Sequence, residues 1–166
     1  MRVLKWITYI NEKVGLLCGW IILVMTITVT FDVVMRYFFN RPTYWGLELN
    51  LYLLVATSFL AGGYCLLVDG HVRVDIIYQI FPPRMRALVD VVTSALFFLF
   101  VAVIVWKGWE FAYESLVEGK RSSDAMGWPL YPSQMMIPIG GVLIGLQGVV
   151  KLIEDIVILV KGELPE

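Results

Sequence analysis

Histidine and cysteine are nearly missing from this chain, whose 166 residues hold one histidine, His71, and two cysteines, Cys18 and Cys65. Haem held by two histidines cannot be built within one copy, and a zinc cluster of Cys and His fails for the same reason. The cysteines form no CxxC pair, so neither a disulfide scaffold nor a thiol-redox motif is indicated. Charge is also scarce, with Asp, Glu, Lys and Arg at 16% of residues, against about 25% in soluble domains. The net charge of −1 offers no electrostatic footprint for nucleic acid. The glycines near residue 140 lie inside an apolar run without a following lysine, which excludes a phosphate loop. No enzyme and no cofactor are expected.

The charge is also absent in blocks. Residues 14–31, 49–68, 91–106 and 125–150 contain no Asp, Glu, Lys or Arg. An α-helix rising about 1.5 Å per residue needs about 20 mostly apolar residues to cross the hydrocarbon layer. The second and fourth runs reach that length unaided. The first and third reach it by including Asp32 and Asp90 near an end. Hydrophobic residues make up 59% of the chain, and the mean hydropathy is +0.78. The expected fold class is an all-α integral membrane protein, a single four-span membrane domain over 1–166. The spans fall at about 14–35, 47–68, 86–108 and 129–150. Basic residues precede the first run, but no small-x-small cleavage site follows it, so this span is expected to be retained.

Amphipathic segments are expected at both termini and in the central connection. In residues 1–13, Val3, Leu4, Ile7 and Ile10 recur at helical spacing, with Asn11 and Glu12 on other faces, which predicts an interfacial helix. After residue 150, Leu152, Ile153, Ile156, Val157 and Val160 continue an apolar stripe, so 151–166 is expected to lie on the membrane surface. In the central connection, Asp75 is placed to cap a short helix over 76–81, and Pro82-Pro83 to stop it. His71 and Arg73, with Asp75, are candidate anchors of this connection at lipid phosphates.

Both termini lie on one side of a four-span chain. With the central connection they carry Arg2, Lys5, Lys13, Arg73, Arg84, Arg86, Lys151 and Lys161, eight basic residues. The other two connections carry five: Arg36, Arg41, Lys107, Lys120 and Arg121. The positive-inside bias therefore predicts cytoplasmic termini.

A pump or proton relay needs ionisable groups deep in the bilayer, and the centres of the four runs have none. The polar residues that remain sit at span ends. Asp32 and Arg36 are one turn apart, and Glu48 opens span 2, where the helix dipole favours a carboxylate. Arg36 is placed to bridge Asp32 and Glu48. The same set, with Trp45, is alternatively a docking point for a partner. The amides Asn50 and Gln147 suit interhelical hydrogen bonds. Gly15 and Gly19 form a GxxxG pair in span 1. Gly141, Gly145 and Gly148 fall on roughly one side of span 4, a close-packing face for this subunit's own helices or for a partner.

Several stretches together resemble a known family. Tyr44-Trp45-Gly46-Leu47-Glu48 opens span 2, which runs through Gly62-Gly63 into Gly70-His71-Val72-Arg73-Val74-Asp75. Met126-Gly127-Trp128-Pro129, Ile137-Pro138-Ile139-Gly140 and Gln147 follow. In this order they resemble the small membrane subunit (DctQ type) of tripartite ATP-independent periplasmic (TRAP) transporters, over essentially the whole chain. The resemblance implies a bacterial or archaeal inner-membrane protein with a large TRAP membrane subunit as partner and a periplasmic substrate-binding protein as transient partner. It further implies sodium-driven uptake of an organic acid, carried by the large subunit while the small one braces it. Two other classes stay open, a membrane anchor or assembly subunit of a respiratory complex and a self-contained homo-oligomeric transporter.

Overall fold

The computed structural model describes residues 2–70 and 82–161. These form four helices: α1 (Arg2–Phe38), α2 (Gly46–Leu67), α3 (Pro83–Val117) and α4 (Tyr131–Lys161). Three stretches, Val3–Phe38, Gly46–Leu67 and Leu88–Val117, are long and apolar enough to cross a membrane. The short helix expected over 76–81 and residues 162–166 of the tail lie outside the described residues.

Backbone chemistry accounts for the helix ends. Val68 caps α2, Asp69 turns into the left-handed region at φ 53°, and the Gly70 N–H returns to the Cys65 carbonyl at 2.8 Å. This is a Schellman closure with aspartate where glycine is usual. The end of α3 closes in the same way through Gly119 (φ +63°), with the Lys120 N–H on the Ser115 carbonyl at 3.0 Å. The proline pair opens α3: Pro82 is the N-cap and Pro83 holds the first helical position, where its missing N–H would have no partner anyway.

Two expected boundaries are not seen. Residues 2–13 are continuous with the first span, because α1 runs unbroken from Arg2 to Phe38. The tail is continuous with α4 as far as Lys161. Neither junction contains a proline. The apolar stripe beyond Val150 keeps its helical period, so the chain has no reason to turn.

Helix α4 is the centre of the arrangement. It packs extensively on α3 and α2 and more lightly on α1, while α1 packs chiefly on α2. Helices α2 and α3 make no extensive contact with each other, so the packing order is α1, α2, α4, α3. Glycine explains why α4 can hold neighbours on two sides. A Cβ at Gly140 would collide with the backbone of Phe59 in α2. On the other side, one at Gly141 would lie 2.8 Å from Val105 and one at Gly145 3.0 Å from Val101, while Gly148 lies against Phe97. In lipid, where no water is expelled between helices, close backbone approach of this kind supplies the packing energy.

Candidate functional site

At the end where the α1–α2 and α3–α4 connections meet, here the upper end, the polar residues form two separate constellations. The first holds the α1–α2 turn. Arg36 donates to Asp32 Oδ2 at 2.7 Å, and Asp32 Oδ1 accepts from the Thr43 backbone N–H at 2.9 Å and from the Thr43 hydroxyl. Gly46 permits this closeness, since a Cβ there would sit 2.5 Å from Thr43 Oγ1. Phe31 and Trp45 stack above it, with ring centroids 6.4 Å apart.

The second constellation centres on Glu48. Its side chain is 1% exposed, and Oε1 accepts from the backbone N–H of Trp128 at 2.8 Å. One turn further along α2, the Tyr52 hydroxyl donates to the Pro129 carbonyl. Tyr52 and Trp128 meet edge to face at 5.6 Å. Arg36 therefore does not bridge Asp32 and Glu48: among the described residues it engages Asp32, and the α3–α4 connection takes Glu48.

That connection is a small ordered hairpin. Arg121 and Pro129 form an antiparallel bridge; the Ser122 N–H donates to Trp128 O at 2.8 Å and the Leu130 N–H to Lys120 O at 3.1 Å. Gly127 turns its tip at φ +61°. Lys120 lies 2.7 Å from Glu114 and 3.0 Å from Glu118. The hydrogen bonds its ammonium donates to these two carboxylates raise its pKa above the ordinary lysine value.

Inside the bundle, amides link helices. Asn11 of α1 donates to Gln147 of α4 at 3.0 Å, and both are essentially excluded from solvent. Gly63 of α2 makes room for them, because a Cβ there would overlap Asn11 Oδ1. Nearer the upper end, the Thr28 hydroxyl donates to Asn50 Oδ1 at 2.9 Å, and Asn50 Nδ2 returns to the Gly46 carbonyl at 2.7 Å. Gln147 and Asn50 were visible from sequence as interhelical hydrogen-bonding amides, and both accept. Asn11 was not, since its position also fits the polar face of a surface helix.

Gly141, Gly145 and Gly148 all face α3 of the same chain. Of the GxxxG pair, Gly15 lies against the Tyr64 ring of α2, whereas Gly19 faces open space. His71, Arg73 and Asp75 lie outside the described residues. Lys151 at the lower end of α4 pairs with Asp69 just past α2. Among the described residues no group of three His, Cys, Asp or Glu side chains is arranged to hold a metal ion.

Residues 25–157 match the family model described as the DctQ component of tripartite ATP-independent periplasmic transporters. A Haemophilus influenzae protein that carries the name of a TRAP transporter small permease protein is 24% identical over 155 residues, covering 93% of this chain and 94% of that protein. The ectoine TRAP transporter small permease protein TeaB of Halomonas elongata is 21% identical, covering 84% and 72%. The C4-dicarboxylate TRAP transporter small permease protein DctQ of Vibrio cholerae is 26% identical over 94 residues, covering 57% and 40%.

Proposed function

The chain belongs to the DctQ-component family of TRAP transporters, and from that premise we propose that it is the non-catalytic small membrane subunit of such a transporter. In this reading it braces a large membrane subunit, and that partner carries an organic acid inward, driven by a sodium gradient. A periplasmic binding protein delivers the acid and meets the pair transiently. The complex lies in the inner membrane of a bacterium or archaeon, with the termini of this chain in the cytoplasm. Helix α4 is the fourth span, since a helix packed along three others cannot rest on the membrane surface while they cross it.

One observation carries the bracing role: the buried Asn11–Gln147 pair and the half-buried Thr28–Asn50 pair both run from helix to helix. Asn11 is committed to Gln147 and Thr28 to Asn50, each pair locking two spans in register rather than lining a route. The names of two relatives carry different solutes, ectoine and C4-dicarboxylate. That difference fits a subunit which does not itself select the cargo.

Co-expression with the large subunit tests the proposal. The two should purify together, and liposomes holding both should take up an organic acid when supplied with sodium and the binding protein. Liposomes with this chain alone should show none. Sodium-driven uptake by the lone chain would overturn the accessory role.

A further inference from the structure

Because α2 and α3 flank α4 without touching extensively, a groove of about 630 Å³ opens between them. Phe59 of α2 forms one wall, Ile137 of α4 the floor, and Val103, Gly108 and Phe111 of α3 the other wall. Three charged side chains of α3 line it as well: Lys107, Glu110 and Glu114.

Their depth corrects the expectation that every remaining charge sits at a span end, because α3 continues as helix to Val117. The 22 residues of α2 measure about 33 Å, close to the thickness of a bilayer's hydrocarbon core. The carbonyl of Phe59, which lies about 20 Å along α2 from Gly46, abuts Gly140. The neighbouring Gly141 abuts Val105, so Val105 and Phe59 are level. At 1.5 Å per residue, Lys107 then lies roughly 17 Å and Glu110 roughly 12 Å below the head of α2. Lys107 Nζ and Glu110 Oε2 are 2.6 Å apart, with side chains 70% and 56% exposed. Acyl chains offer no hydrogen bond to the donors and acceptors that the pair leaves over, so a polar partner at this level is favoured. A second pair, Glu114 with Lys120, extends the charged wall up to the hairpin.

We propose that the groove between α2 and α3 seats a membrane-spanning helix of the large partner subunit, apolar against Phe59, Val103 and Ile137 and polar where it meets Lys107 and Glu110. The inference rests on the small-subunit reading and adds the face by which the subunit docks. An apolar floor gives such a helix its packing surface. The charged wall sets its register, because only a polar group at one height satisfies the exposed pair.

Crosslinking in the co-expressed complex tests this. Phe111 and Trp109 lie at nearly the same depth, but two residues along a helix point to opposite sides, and only Phe111 lines the groove. A benzophenone amino acid replacing Phe111 should crosslink to the large subunit in native membranes, and one replacing Trp109 should not. In addition, Glu110→Lys should lose the large subunit on purification while the variant chain stays in the membrane. If the wild-type pair co-purifies but the Phe111 probe captures only lipid, or the Trp109 probe alone reaches the partner, the groove is not the docking face and the small-subunit reading survives. If the wild-type chain fails to hold any large subunit, both fall together.

Discussion

The backbone N–H of Trp128 donates to the carboxylate of Glu48, 80 residues away in sequence, at 2.8 Å. This bond joins the start of α2 to the α3–α4 connection. With Tyr52 on Pro129, it makes a loop that would otherwise be free into a fixed part of the bundle.

Removing the carboxylate should therefore free the hairpin. A hydrogen bond to a charged group contributes about 1.5–3 kcal/mol, so Glu48→Ala should raise amide exchange and protease cleavage between residues 120 and 128 while leaving the helices intact. Glu48→Gln, which keeps an oxygen for the Trp128 N–H, should have a smaller effect. It should also leave the sodium-to-substrate ratio of the assembled transporter unchanged, and a changed ratio would place a coupling ion in this subunit.

Asn11 and Gln147 should behave as one unit. In membrane proteins such bonds couple by about 0.6–2 kcal/mol. Asn11→Leu and Gln147→Leu should each lower the unfolding midpoint in detergent, and the double variant should lose less than the sum of the two. Strict additivity would show that the pair does not hold α1 to α4.

The α4 glycines give a different signature. Because Gly148 lies against Phe97, Gly148→Leu should destabilise the chain purified alone, by the roughly 1–3 kcal/mol typical of overpacking. Thermal unfolding of the isolated subunit reads this directly. A variant as stable as wild type that fails only to bind the large subunit would move the α3 contact elsewhere.

Orientation is open to labelling. Single cysteines at Ser122 and Gly70, in a background lacking Cys18 and Cys65, should differ toward an impermeant thiol reagent on intact cells. Position 122 should react and position 70 should be spared. The reverse pattern would invert the termini and put the hairpin in the cytoplasm.

Helix existence was legible because it follows from the absence of charge, a property of single residues. Close packing at Gly141, Gly145 and Gly148 was legible for a similar reason, as a small-residue face has a fixed period. What lay opposite that face was not, since α3 carries no complementary signal beyond ordinary Val, Ile and Phe. Glu48 shows the limit more sharply. Its partner is a backbone donor in a distant loop, and every residue except proline has such a donor, so composition cannot single out Trp128. Asn11 was misread because a polar residue at that helical position suits a solvated face or a buried interhelical bond equally well. The deciding neighbour is Gly63, far along the chain.

The central place of α4 also sets an order of events during synthesis. The ribosome releases α1 and α2 first, and these can pair at once as a hairpin. Helix α3 then enters the membrane with no extensive contact among the described residues to receive it, because its neighbour in the finished bundle is α4. Until α4 is made, the third helix lacks that packing surface and its Lys107–Glu110 pair stands exposed. A nascent chain cut short before Tyr131 should therefore be the form that membrane proteases and chaperones engage, because α4 is the element that gives α3 its place in the bundle.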